Sequence, residues 1–268
     1  MKAVRFDHVG AVGQIVLCSP PDNRLGLRFA EELRVAVHRA GGSGVRALLV
    51  RAEGPNFGTG GDVVAWPGRD VNWFHAFIGE VNHAYRALEA LRVPTIAAVR
   101  GKAVGGHFEL ALHCDVIVAA DSASFHAIEG NTGMVPLAGG LQRLAERIGR
   151  SRAIQLYLLG EPMAGSEAGS SGLANLVVPD AELDATATDL AERLAAGPTQ
   201  AYGAARALLK AWSSGGVAGA DELMLDLTMR LFDTEDAQRA FAALKEETEA
   251  GGSKADCEAS ARMRFLGR

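Results

Sequence analysis

Two adjacent glycines, Gly105 and Gly106, open a short apolar run, Phe108, Leu110, Ala111 and Leu112, that has the spacing of a helix. Glycine lets the main chain take dihedrals closed to other residues and approach a ligand closely. A helix starting at Gly106 aims free N–H groups, and the positive end of its dipole, at whatever lies in front of it. Glu109 stands one turn in, so its carboxylate stays near that end. Thr95-Ile96-Ala97-Ala98-Val99 precedes the pair and Val116-Ile117-Val118-Ala119-Ala120 follows at once; both read as buried strands. Strand, helix and strand in such close succession predict an α/β fold in which the helix start is held rigidly.

The same alternation extends both ways. Gly13 to Cys18 reads as a strand, Phe29 to Arg39 as a helix with Phe29, Leu33, Ala36 and Val37 on one face, and Arg46 to Arg51 as the next strand. Asp70 to Leu91 carries Phe74, Phe77, Ile78, Val81, Tyr85 and Leu88 at helical intervals until Pro94 interrupts it. From Asp180 onward the pattern is almost wholly helical, with a break at Gly197-Pro198. We therefore expect an α/β core over residues 1–197 and a helical region over 198–268, its last stretch around Gly251-Gly252-Ser253-Lys254 loosely ordered.

A second glycine cluster, Gly58-Thr59-Gly60-Gly61 before Asp62, exceeds what a turn requires. Read as a cradle, its consecutive N–H groups converge on an anion or a polarised oxygen; read blandly, it is a surface loop. The chain's 268 residues suffice for a full core, and a formal net charge of −5 argues against non-specific nucleic-acid binding. No apolar run reaches the ~18 residues of a membrane span, so no membrane partner is expected. Three widely separated cysteines, Cys18, Cys114 and Cys257, form neither a disulfide framework nor a metal cluster, which points to a reducing cytoplasm and no metal site.

Taken in order, Phe57-Gly58-Thr59-Gly60-Gly61-Asp62, Pro94 to Gly101, Gly105-Gly106-His107-Phe108-Glu109-Leu110-Ala111, Cys114-Asp115 and Gly139-Gly140-Leu141-Gln142-Arg143-Leu144 resemble the enoyl-CoA hydratase/isomerase (crotonase) superfamily. The resemblance runs over most of residues 10–210 and more faintly from Thr234 to Arg268. It implies a crotonase-like α/β fold, a spiral of ββα units followed by a helical region that builds a homotrimer or a dimer of trimers. It implies an acyl thioester substrate on coenzyme A or on a carrier-protein arm, with coenzyme A as part of the substrate and no prosthetic group. Two backbone N–H groups would hold the thioester oxygen as it becomes an enolate; matching the motifs assigns them to Gly61 and Gly106. Substrate contacts carry over to Arg24, Leu25, Thr59, Gly60, Asp62, Val63, Gly105, His107, Pro136 and Leu137.

The resemblance leaves the reaction open, since one scaffold supports hydration, isomerisation and lyase chemistry. Hydratases of the family use two glutamates, and the matching positions here are Glu109 and, in Phe125-His126-Ala127-Ile128-Glu129, Glu129. Adding water requires one group to take a proton from it and another to deliver one to the α-carbon. Two carboxylates in one apolar site repel, so at least one holds a proton near neutrality. The expectation is hydration of a 2-enoyl thioester, or the reverse dehydration. A 3-enoyl to 2-enoyl isomerase, another lyase, or a catalytically weak scaffold subunit is the alternative. Several positions set this chain apart from the usual hydratase pattern, among them Arg100, which stands for an asparagine, and the position before Asn23, where a basic residue is expected. His107 and Leu137 stand for glycines and Ile128 for a proline, which leaves room for a specialised acyl chain. His107 either enters the pocket or packs behind the helix; His113 reads as structural.

Overall fold

The computed structural model describes residues 2–249 and 265–268; the stretch 251–254, expected to be loosely ordered, lies outside them. The chain divides into two compact units, Met1–Leu91 with Thr95–Glu192, and Arg92–Pro94 with Arg193–Arg268.

The first unit is built on a six-stranded sheet. Its strands are β1 (Val4–Val9), β2 (Val12–Leu17), β3 (Ala47–Ala52), β4 (Thr95–Val99), β6 (Val116–Ala120) and β9 (Leu176–Val178), in that spatial order. β1 and β2 form an antiparallel hairpin; every later pairing is parallel. Parallel strands need a covered crossover between them, and helices supply it: α1 (Leu27–Gly42) between β2 and β3, and α2 (Val71–Glu89) between β3 and β4. α1 buries Phe29, Leu33, Ala36 and Val37, and α2 buries Phe77, Val81, Tyr85 and Leu88, the faces that the helical spacing predicts. Asp70 caps α2 by accepting from the Trp73 N–H at 2.9 Å. The central strands are mostly apolar because both faces are covered; all of β4 is buried, its Thr95 included.

A smaller three-stranded sheet places the site. It contains β5 (Lys102–Val104), β7 (Ser124–His126) and β8 (Met163–Ala164), ordered β5-β7-β8. α3 (Gly106–Leu112) leaves the end of β5 and returns to the large sheet at β6. The expected strand, helix and strand about Gly105-Gly106 therefore fall on β4, α3 and β6, with the short β5 between. Asp115, at the end of that crossover, accepts from the Thr95 N–H and hydroxyl at 2.7 and 2.9 Å, fastening the start of β6 to the start of β4. α4 (Gly140–Ile148) and α5 (Arg150–Leu159) follow β7, then α6 (Gly165–Ser171) precedes β9.

α7 (Leu183–Ala195) spans the division between the units, and Gly197-Pro198 lies between it and α8 (Thr199–Thr228). The second unit is helical. α8 is interrupted at Gly216, whose dihedrals (φ 66°, ψ −165°) belong to no helix. α9 (Glu235–Glu249) carries in its first turn a buried Asp236, which accepts from the N–H groups of Leu266 and Gly267 at 2.5 and 2.6 Å. No helix of the described residues is long and apolar enough to cross a membrane.

Candidate active site

The loop Phe57–Asp62 lies between two extended segments. On one side it runs parallel to Lys102–Val104: Gly58 N–H donates to the Lys102 carbonyl at 2.9 Å, and Val104 N–H donates to the Gly58 carbonyl at 3.0 Å. On the other it pairs with Leu25, whose N–H donates to the Gly60 carbonyl at 2.9 Å and whose carbonyl accepts from Asp62 N–H at 3.0 Å. Phe57 N–H donates to the Arg100 carbonyl, Thr59 N–H to the Asp22 carbonyl, Gly60 N–H to the His107 ring and Val63 N–H to the Gly61 carbonyl. The one amide of this run with no hydrogen bond among the described residues is that of Gly61. The same holds for Gly106, the first residue of α3, as helix geometry requires of an N-terminal N–H.

Both positions need glycine for packing. A Cβ on Gly106 would lie 2.5 Å from Leu25 Cδ2, and one on Gly61 would overlap the Trp66 indole. Gly105 holds φ 52° and ψ −122°, which turns β5 into α3. Its amide donates to the His126 carbonyl at 2.9 Å, and the Tyr85 hydroxyl donates to the Gly106 carbonyl at 2.7 Å. Two unused amides are thereby presented by rigid backbone.

The two glutamates share one cavity. It is lined by Gly105, Phe108, Glu109, Glu129, Pro136 and Gly140 among others, and its volume is about 10 Å³. That is room for roughly one water molecule. Glu109 is only 6% exposed. Its Oε1 accepts from the amides of Ala138 and Gly140 at 2.9 and 2.8 Å. Burial pushes its pKa up to about 7, and the Glu129 charge adds to the rise; the two amides and the Arg143 cation oppose it. Glu129 opens the turn Glu129–Thr132 after β7, and burial raises its carboxyl above the usual range too. Its Oε2 is buried and takes no hydrogen bond among the described residues. The two carboxyls are thus held differently: Glu109 is fixed by main chain and Glu129 is open at one oxygen.

Other expected contacts distribute as follows. Leu25 is buried against Gly106; Thr59 and Gly60 hold the loop, and Pro136 lines the cavity. Val63 and Leu137 are exposed. Arg24 is half-exposed and pairs with Asp22 at 3.2 Å and with Asp62 at 3.7 Å, so both acids neutralise it. One expectation is corrected. His107, placed among substrate contacts, is wholly buried between the rings of Phe29 and Phe57, and a Cβ on Gly58 would overlap its imidazole. It packs behind the helix because α3 turns that position toward Phe29 of α1. His113 is buried in the core, its Nδ1 2.8 Å from the Glu109 carbonyl. Among the described residues no group of three or more His, Cys, Asp or Glu side chains is arranged to hold a metal ion.

The sequence profile of the enoyl-CoA hydratase/isomerase family matches residues 7–251. The chain belongs to that family. A Mycobacterium tuberculosis protein named probable enoyl-CoA hydratase echA8 is 35% identical over 76% of this chain and 78% of its own length. A Bacillus subtilis protein named probable enoyl-CoA hydratase is 30% identical over 92% of this chain and 97% of its own. A candidate enoyl-CoA hydratase from Thermobifida fusca, solved in complex with CoA, superposes with a TM-score of 0.78 at 30% identity, covering 87% of this chain and 93% of that one. The crotonase fold expected from the motifs is the fold observed, and the chain is an enzyme of this lyase-containing family.

Two parts of the site escaped the sequence reading. The Leu137–Gly140 turn, read for its glycines and for Leu137 as a substrate contact, is the clamp of Glu109; Gly139 takes φ 85° and Gly140 begins α4, so the Glu109 carboxyl sits at a helix N-terminus. Tyr85, read only as part of an apolar helix face, also buttresses Gly106. The glycine pair Gly139-Gly140 was the available signal for the first; nothing in helical spacing distinguishes the second.

Proposed function

We propose that the protein adds water across the double bond of a 2-enoyl thioester of coenzyme A, or removes it in reverse. The observation that carries this reading is the placement of two carboxyls, Glu109 and Glu129, on a cavity with room for about one water. In the reaction as we read it, the thioester oxygen accepts from the amides of Gly61 and Gly106. One glutamate, ionised, takes a proton from water as its oxygen bonds to the β-carbon. The π electrons move onto the thioester oxygen, giving an enolate. The other glutamate, protonated, delivers its proton to the α-carbon and the carbonyl re-forms. The pair ends with one proton between them, as it began, and no prosthetic group is invoked. Each oxyanion donor in such a site is typically worth ~2.7–4 kcal/mol. Arg24, Thr59, Gly60, Asp62, Val63, Gly105, Pro136 and Leu137 are the residues we assign to the substrate's approach.

Incubating purified protein with a short 2-enoyl-CoA tests this. Hydration removes the conjugated ultraviolet band, and in heavy-oxygen water the label enters at the β-carbon. A protein that instead moves the double bond of a 3-enoyl-CoA and never adds water is the isomerase; one that binds and changes neither is the scaffold. A carrier-protein thioester offered in parallel decides which arm the acyl group rides on. We further propose a homotrimer or a dimer of trimers, because Leu209, Trp212, Val217, Leu225, Met229 and Phe232 leave an unusually apolar exposed surface on the helical unit. A cytoplasmic setting accords with cysteine usage, three cysteines far apart in the chain.

A further inference from the structure

We propose that His107 is a positioning residue that ties the two oxyanion donors to each other; the inference rests on reading Gly61 and Gly106 as those donors. His107 follows Gly106 in the chain, and its Nδ1 accepts the N–H of Gly60, the residue before Gly61, at 3.3 Å. One imidazole therefore links the peptide units on both sides of the place where a thioester oxygen would sit. All other amides flanking Gly61 are held by main-chain carbonyls; that of Gly60 alone is held by a side chain. Without the ring, this buried N–H would lose its acceptor, at the cost that an unsatisfied buried donor carries. Gly60 has φ 92°, a strained region for most residues, and the bond helps hold it there.

The ring is wholly buried, and three neighbours fix it. Phe29 and Phe57 meet it edge-to-face, at centroid separations of 5.1 and 6.4 Å, and Gly58 supplies the space it fills. Because Nδ1 accepts, the proton of the neutral ring is on Nε2, which is buried and, among the described residues, has no acceptor at full hydrogen-bond geometry, the Asn23 backbone supplying only a weaker attraction. Burial holds the ring's pKa down near 3, the nearby Asn23 backbone only partly opposing, so the acceptor persists throughout the pH range of ordinary assays.

The test compares His107→Phe, which fills the space without an acceptor, with His107→Asn, whose amide oxygen occupies roughly the position of Nδ1. The readouts are kcat and KM, and the red shift of a para-amino-cinnamoyl-CoA on binding, which reports polarisation of its thioester carbonyl. For His107→Phe we expect a kcat lower by ~10- to ~10²-fold with KM little changed, as for a misplaced rather than missing group, and most of the red shift lost. His107→Asn should keep most of both. If His107→Phe fails to fold by circular dichroism, Gly58→Ala replaces it, since the added methyl displaces the ring; it too should lose the shift. A full red shift and kcat in His107→Phe, or in Gly58→Ala, overturns the proposal. So does an equal loss in His107→Phe and His107→Asn, which would show that an acceptor at the Nδ1 position does not restore the site. The shift is read on binding alone. A wild-type protein that shifts the probe but never hydrates a 2-enoyl-CoA therefore overturns the hydratase reading and leaves this one standing. A wild-type protein that binds the probe without any shift overturns the donor assignment and this inference with it.

Discussion

The Gly140 amide donates to Glu109 Oε1 at 2.8 Å, and a Cβ on Gly140 would lie 2.5 Å from Glu109 Cγ. One residue thus both anchors the glutamate and leaves the space its stem occupies. Gly140→Ala should push the Glu109 carboxyl out of its clamp. We expect kcat for hydration to fall by ~10²-fold, the effect of misplacing a catalytic group. Overpacking typically costs ~1–3 kcal/mol, partly offset by the better helix propensity of alanine. Steady-state kinetics beside urea unfolding separates the two; a variant with unaltered kcat would show that Glu109 does not depend on this clamp.

Glu109→Gln and Glu129→Gln each remove a proton-transfer group at nearly constant size. Each should lower hydration by ~10²–10⁴-fold. Since the carboxyls face one cavity and influence each other's ionisation, the double variant should lose far less than the product of the single losses. An isomerase would behave unequally, with one glutamate indispensable and the other nearly neutral. Equal single losses that multiply fully in the double variant would argue that the two act in separate steps.

Much of this site was legible because glycines and paired carboxylates are sparse, position-specific signals. Gly61 and Gly106 were chosen by motif, and neither amide makes a hydrogen bond among the described residues, that of Gly106 being one of several that the start of α3 leaves unused. β4 and β6 were readable to the residue, being short apolar runs bounded by Pro94, Gly101 and Asp115. What sequence did not carry was side-chain direction across distant segments. That Gly58 makes room for His107, forty-nine positions on, depends on β5 lying beside the loop, and no local pattern encodes that pairing. The Glu109 clamp likewise joins α3 to a turn that only the fold brings near.

Burial of Glu109 also predicts a pH-dependent stability. Its carboxyl is raised from 4.5 to about 7 in the folded protein. Between those values the folded state binds the extra proton, so this residue's contribution is full below pH ~4.5 and is lost as the pH rises through ~7. The loss is on the order of 3 kcal/mol. Glu109→Gln carries no charge to bury, so its melting temperature should match wild type near pH 5 and exceed it near pH 8. Glu129, also raised, would leave a residual slope in the variant. A wild-type protein whose stability rises steadily from pH 5 to 8 while Glu109→Gln parallels it would contradict the burial of this charge.

Assembly makes a prediction independent of chemistry. Light scattering at micromolar concentration should give a mass three or six times that of the chain. Trp212→Glu together with Leu209→Glu places two charges on the exposed apolar face of α8 and should release monomer. A monomeric wild type at that concentration would remove the trimer from consideration.

The donor at Gly106 can be removed without changing any side-chain acid or base. Proline lacks the N–H and suits the first position of a helix, which Gly106 occupies in α3. Gly105 precedes it with ψ −122°, a value that keeps the proline ring clear of the preceding backbone. The obstacle is Leu25, whose Cδ2 lies 2.5 Å from any Cβ built there. We therefore pair Gly106→Pro with Leu25→Ala and compare the double variant with Leu25→Ala alone. Loss of one donor from an oxyanion site should lower kcat by ~10²–10³-fold. KM should move far less, because the ground-state carbonyl draws less on the donor than the enolate does. The red shift of a bound conjugated thioester should shrink in parallel, while Tyr85, which bonds the Gly106 carbonyl and not its amide, keeps its partner. If the double variant retains the kcat of Leu25→Ala, the oxyanion is held elsewhere and the assignment of Gly106 fails.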